Sequence, residues 1–165
     1  IDNWRWAGVP FYLRTGKKMK SRVSTIDVVF KDLGHTIFEG DHARHRNILS
    51  IRLQPTEGMD LYVTIKEPGP GGMRLKYLPL DLSYAENFTV RYPDAYERLL
   101  MDVVRGNLAL FMSRDEVEAA WKWVDNLLAI WTDVEQPLER YAAGTQGPLQ
   151  SAMLLDRDGR KWWEA

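Results

Sequence analysis

The sequence predicts an α+β fold: a largely antiparallel sheet, followed by two packed helices and an irregular C-terminal tail. Three observations point there. Apolar residues alternate with period two in short segments up to residue 84, recur every three to four residues from residue 93 to about residue 132, and then give way to glycine and proline punctuation. With 165 residues, a hydrophobic fraction of 45% and seven Trp, the chain has the size and apolar content to bury the core of one domain spanning residues 1–165.

The opening residues Trp4, Trp6, Val9, Pro10 and Phe11 are core-type side chains, as expected of a chain that starts inside a domain. Phe11 and Leu13 oppose Tyr12 and Arg14, the alternation of a first strand. Ile26, Val28 and Phe30 suggest a second, and Leu49, Ile51 and Leu53 set against Ser50, Arg52 and Gln54 a third. Leu61, Val63 and Ile65, then Leu78, Leu80 and Leu82, complete five expected strands between residues 10 and 84. Glu67-Pro68-Gly69-Pro70-Gly71-Gly72 breaks the last pair with a loop expected to be mobile, since proline removes donors and glycine frees the backbone. The strands follow one another too closely for intervening helices, so their pairing should be antiparallel.

Pro93-Asp94-Ala95-Tyr96-Glu97 reads as a helix start. Tyr96, Leu99, Leu100, Val103 and Val104 give it one apolar stripe, and Gly106 can close it. Ser113 with Glu116 forms a capping box for a second helix, whose stripe of Val117, Trp121, Val124, Leu128 and Trp131 is expected to be core. From Asp133, Pro137, Gly144, Gly147, Pro148 and Asp158-Gly159 predict an irregular tail ending in Trp162 and Trp163.

Several function classes are excluded by composition. No unbroken apolar run exceeds five residues, as in Leu108–Met112, far short of the ~20 that a membrane helix needs. Without Cys there is no disulfide, thiolate nucleophile or Cys-rich zinc site, and no leader is apparent; a cytoplasmic protein is expected. Nucleophile-elbow, metalloprotease, phosphate-loop and dinucleotide fingerprints are all missing, and Gly69, Gly71 and Gly72 lack the spacing for the last. His35, His42 and His45 lack a nearby carboxylate pattern and read as solvated polar residues, so no metal site is expected. Asn87-Phe88-Thr89 matches a glycosylation acceptor, a match of little weight without a secretory signal.

Charge is the one asymmetry. Residues 1–22 hold six basic residues and one acid although the whole chain has a formal net charge of −1, and Arg14, Lys17, Lys18, Lys20 and Arg22 fall within nine positions. A general nucleic-acid binder would spread positive charge over a face and raise the isoelectric point. The stretch reads either as a binding site for a small anion or as a solvated basic turn. Trp4, Trp6 and Tyr12 nearby would suit single-stranded nucleic acid, but the acidic remainder of the chain opposes it.

The run Trp6-Ala7-Gly8-Val9-Pro10-Phe11-Tyr12-Leu13-Arg14-Thr15-Gly16-Lys17 resembles the glucose-6-phosphate dehydrogenase family in its C-terminal β+α domain. The resemblance continues in order through Ile51-Arg52-Leu53-Gln54-Pro55, Leu80-Asp81-Leu82-Ser83-Tyr84 and Pro93 to Leu99. Ser113 to Glu116, Ala120-Trp121, Tyr141 with Gly144-Thr145 and Gly147-Pro148, and Lys161-Trp162 extend it, and Arg157-Asp158-Gly159-Arg160 is bacterial in style.

That resemblance implies oxidation of glucose 6-phosphate at its first carbon, with hydride transfer to NADP and formation of a phosphogluconolactone, the entry to the pentose phosphate pathway. The family's histidine base, the aspartate that orients it and the coenzyme-binding domain are expected upstream of Ile1, so this chain is expected to be a fragment without activity of its own. Lys17 aligns with the family lysine that contacts the sugar, and Arg22 with a basic residue facing the phosphate. Gln54 matches a family glutamine near the substrate and could equally be a plain sheet-face residue. A forked guanidinium suits phosphate oxygens, and an ammonium can donate to several hydroxyls.

Some members hold a second, structural NADP in this domain. Arg14, Arg52, Asp81 and Trp162 match that pattern, whereas Val23, Asp27, Gln146 and Asp156 stand where charged or aromatic ligands are expected. These departures count against the site, and Arg14 and Arg52 are expected to be ion-pair partners on the sheet face instead. The family's sheet forms a subunit interface, which implies a homodimer. The alternative to the enzyme is a non-catalytic paralogue that keeps the fold for dimerisation or regulatory sugar-phosphate binding.

Overall fold

The computed structural model describes residues 3–32, 34–35, 45–87, 95–134 and 137–164. Four strands form one antiparallel meander in chain order: β1 (Ser24–Val29), β2 (Ile48–Gln54), β3 (Gly58–Lys66) and β4 (Leu75–Ser83). A single turn, α1 (Tyr84–Asn87), follows β4; then come α2 (Ala95–Arg105), α3 (Arg114–Asp133) and α4 (Leu149–Asp156). The chain divides into two compact units, residues 1–88 with 139–165, and residues 89–138.

The expected α+β class, with its antiparallel sheet followed by helices, is what the structure has, with two corrections. Phe11–Arg14 is not a strand, because Tyr12 and Arg14 are engaged by the C-terminal tail. The tail, expected to be irregular, contains α4, which starts immediately after Pro148.

The register sorts the sheet into two unlike faces. One carries the rows Val28–Leu49–Leu61–Leu80 and Ile26–Ile51–Met59–Leu82 across all the strands. The other carries Asp27–Ser50–Asp60–Asp81, flanked by a row that includes Ile48, Tyr62 and Pro79. Proline is tolerated there because β4 is an edge of this sheet. The polar face is the covered one, with Ser50 at 1% and Asp60 at 5% exposure and Trp163 of the tail edge-on against Tyr62 at 4.8 Å. The apolar face is open, with Leu80 55% exposed. Gly69, Gly71 and Gly72 take left-handed backbone in the β3–β4 loop, which is closed by Glu67 N–H donating to the Arg74 carbonyl at 2.8 Å.

In the second unit, Ser113 caps α3 through the expected box: its N–H donates to the Glu116 carboxylate at 2.6 Å, and its Oγ accepts from Glu116 N–H at 3.3 Å. Gly106, at φ +68, ends α2, where Asn107 N–H donates to the Asp102 carbonyl at 2.9 Å. The start expected at Pro93 and Asp94 lies outside the described residues, as do His42 and most of Asn87-Phe88-Thr89. The two stripes expected to be core are open to solvent: Tyr96 and Leu100 on α2, Trp121 and Trp131 on α3 are all exposed. Helical spacing records that a face is to be covered; it does not say by what.

Candidate functional site

The basic stretch has its backbone fixed from Lys17 to Lys20, while the side chains of Lys17 and Arg22 are exposed. Lys18 adopts the left-handed conformation, φ +52, which costs a non-glycine residue roughly 1–2 kcal/mol. Residues 141–145 hold that turn from outside. The Tyr141 hydroxyl donates to the Lys17 carbonyl at 2.7 Å, and Gly144 N–H to the Lys18 carbonyl at 2.8 Å. Lys20 N–H in turn donates to the Thr145 carbonyl at 2.9 Å. A Cβ on Gly16 would lie 2.9 Å from both the Tyr141 Oη and the Met19 Sδ, so glycine is what admits the hydroxyl. Thr145 shapes the facing turn by donating from its hydroxyl to the Ala142 carbonyl at 2.7 Å.

Just before this turn the chain is gripped by the tail. The Tyr12 hydroxyl donates to the Asp158 carboxylate and accepts from Arg160 at 3.2 Å. Bonding to Asp158 is the larger cause that pushes the phenol above its ordinary pKa, with burial second. Arg14 lies 4.6 Å over the Trp162 ring and 3.7 Å from the Glu164 carboxylate, while the Trp162 indole donates to the Ser151 carbonyl of α4 at 3.0 Å.

Lys17, Arg22 and Gln54, the expected substrate residues, are all exposed. Gln54 ends β2 opposite Ser24 of β1, so it and Arg22 lie at the same end of the sheet; Lys17 lies upstream on the clasped turn. Among the described residues, no hydrogen bond or ion pair engages or links their side chains. The roles of Gly16 and Tyr141 escaped sequence reasoning. Both belong to the quoted motifs, but nothing local ties a tyrosine at 141 to a carbonyl at 17.

On the covered sheet face, the Arg52 Nη2 donates to Asp81 at 2.8 Å and its Nε lies 3.3 Å from Asp60. The Ser50 hydroxyl donates to Asp27 at 2.6 Å, and Thr25 donates to the other oxygen of the same carboxylate at 3.0 Å. Burial first, and then the neighbouring Asp81, raise the Asp60 pKa above its ordinary value; Arg52 opposes them. Arg52 is the sheet-face ion-pair partner expected, whereas Arg14, expected there too, lies outside the strands and pairs with Glu164 of the tail. Among the described residues no cluster of three or more His, Asp or Glu could hold a metal, and no helix is long and apolar enough to cross a membrane. His45 stacks on Tyr77 at 4.8 Å.

The family model described as glucose-6-phosphate dehydrogenase, C-terminal domain, matches residues 1–163. A glucose-6-phosphate 1-dehydrogenase of Rhizobium meliloti is 57% identical over 100% of this chain and 34% of its own length. The Mycolicibacterium smegmatis enzyme of that name is 55% identical over 98% of the chain and 33% of its own length. The crystal structure of the Mycobacterium avium enzyme superposes with a TM-score of 0.79 at 30% identity, covering 99% of this chain and 33% of its own. A glucose-6-phosphate dehydrogenase solved in complex with its substrate glucose-6-phosphate gives 0.76 at 27% identity, covering 90% of this chain and 30% of its own. The chain thus spans about a third of the length of the relatives it matches.

Proposed function

The chain belongs to the glucose-6-phosphate dehydrogenase family as its C-terminal domain, and from that premise we propose that it is the substrate-side wall of an NADP-dependent oxidoreductase. The whole protein oxidises glucose 6-phosphate to 6-phosphogluconolactone in the cytoplasm. Residues 1–165 constitute part of the C-terminal β+α domain; the base that takes the hydroxyl proton and the fold that binds NADP reside in the remainder, and the fragment alone is inactive. Lys17 donates to the sugar and Arg22 to the phosphate, with Gln54 as a further polar contact. The observation that carries this reading is the state of the cations. Arg14 and Arg52 are spent on internal pairs, whereas Lys17 and Arg22 are exposed and uncommitted.

The same observation argues against a structural NADP. Its phosphates would need the guanidinium groups that Glu164, Asp60 and Asp81 already hold, and Asp27 adds a carboxylate to the face it would approach. The open apolar face is the homodimer surface: rows of Leu, Ile, Val and Met across four strands leave more apolar area in water than a monomer normally keeps. Identity of 57% to a dehydrogenase favours the enzyme over the paralogue.

The test is NADP reduction by the full-length protein, comparing parent, Lys17→Ala and Arg22→Ala. Each lost charged hydrogen bond should raise KM for glucose 6-phosphate by about 10- to 150-fold, the equivalent of roughly 1.5–3 kcal/mol. Unchanged KM in both variants, or a folded and inactive parent, would overturn the reading.

A further inference from the structure

The clasp on the basic turn has a consequence for substrate binding that rests on the reading just given. We propose that Tyr141 is a positioning residue: its hydroxyl, bonded to the Lys17 carbonyl, fixes the turn that presents the Lys17 ammonium to the sugar phosphate.

Three features of the structure carry this. First, the bond is short and spans the chain, from residue 141 to residue 17 at 2.7 Å, so the tail-side segment reaches a residue whose side chain must be aimed. Second, the turn it holds is one that the sequence would not keep unaided. Lys18 sits at φ +52, and its carbonyl and the Lys20 N–H are met by Gly144 and Thr145. A lysine side chain has four rotatable bonds, and a carbonyl left free would let the backbone beneath it relax to extended geometry, adding further freedom to the ammonium. Third, Gly16 leaves room for the hydroxyl and for nothing larger, because a Cβ there would stand 2.9 Å from the Tyr141 Oη. The phenol points at backbone, so it acts through Lys17 and not on the substrate.

The experiment uses the full-length enzyme and four variants: Tyr141→Phe, Gly16→Ala, Lys17→Ala and the Tyr141→Phe/Lys17→Ala pair. Loss of one neutral hydrogen bond predicts a KM for glucose 6-phosphate about three- to ten-fold higher in Tyr141→Phe, with kcat and the KM for NADP unchanged. Gly16→Ala should reproduce that split. In the Lys17→Ala background, Tyr141→Phe should add nothing, because the group it aims is gone. A merely structural tyrosine would lower kcat and raise both KM values together and would do so equally in either background; that result overturns the proposal. So does an unchanged KM in Tyr141→Phe when Lys17→Ala raises it, an outcome that leaves the substrate role of Lys17 standing. If Lys17→Ala itself leaves KM unchanged, the substrate reading fails and the positioning role falls with it.

Discussion

Removing the guanidinium from Arg52 should loosen the sheet in a way that depends on pH. Across the four strands, Asp27, Ser50, Asp60 and Asp81 share one row, and Arg52 is the cation that meets two of those carboxylates. Arg52→Met keeps most of the side-chain stem and removes the charge. Breaking a fully buried ion pair by deleting one partner costs about 3–5 kcal/mol. Only Asp60 is buried here: the side chains of Arg52 and Asp81 are 30% and 46% exposed. The Arg52 Nε also faces Asp60 without an aligned hydrogen bond. Discounting for solvent screening gives about 2 kcal/mol, or roughly a 30-fold loss of protection against amide exchange in β2 and β3 at neutral pH. The sign of the pH dependence follows from Asp60, whose folded pKa is already raised and loses in the variant the interaction that opposed the rise. Between the unfolded and folded pKa values the native state binds more protons than the unfolded state, so stability falls as pH rises and is recovered as pH drops through the folded value. Protection factors measured on parent and variant at pH 7 and through a series descending to the ordinary aspartate value check this, and Arg52→Met/Asp60→Asn should restore most of the loss at pH 7. A loss of protection that stays the same throughout the series, or no loss, would refute the account.

Ser113→Ala should weaken the first turn of α3 by about 1 kcal/mol, seen as faster exchange at residues 114–117 with the later turns unchanged. Glu116 is held below its ordinary pKa, first by the Ser113 backbone N–H, so the box acts above the usual glutamate range and is lost as pH falls through the depressed value; exchange of that turn in the parent should quicken there. Leu61→Glu places a carboxylate in the middle of the open apolar face and, repeated across a two-fold, should convert a dimer to monomers in sedimentation; persistence of the dimer would move the interface elsewhere. NADP added to the full-length protein carrying an intact structural site would raise its melting temperature through this domain; here protection of β2 and β4 should not change at saturating NADP.

The sequence made the sheet legible because the central stretches of β2, β3 and β4 carry a period of two. Leu49, Ile51 and Leu53 could share one face only if Ser50 and Arg52 shared the other, and the observed register follows. The same pattern at Phe11–Arg14 misled, because alternation reports two unlike sides and not the pairing partner; Tyr12 and Arg14 find theirs in Asp158, Arg160, Trp162 and Glu164, some 146 positions along the chain for the first. The fourth helix was hidden for the opposite reason. Leu149–Asp156 is apolar without a stripe, and its glycine- and proline-rich flank drew attention from a run of helix formers behind Pro148.

Which face would be covered was the least legible feature, and it bears most on function. Periodicity alone puts Ile26, Leu49, Leu61 and Leu80 inside and Asp27, Ser50, Asp60 and Asp81 outside, yet Ser50 and Asp60 of the polar row are buried, with Trp163 of the tail against Tyr62 beside them, and the apolar rows are open. The carboxylates of that row are met by Arg52 and two hydroxyls, and the open rows of leucine are the observation on which the proposed homodimer surface rests. The helical stripes of α2 and α3 tell the same story, with Tyr96 and Trp131 exposed where an isolated domain would bury them. The cations follow the same logic. On the covered face Arg52 is matched by carboxylates, while the turn that carries Lys17 is held through its backbone. Its charge therefore stays available for an anion, an economy that the count of basic residues in the sequence could suggest but not locate.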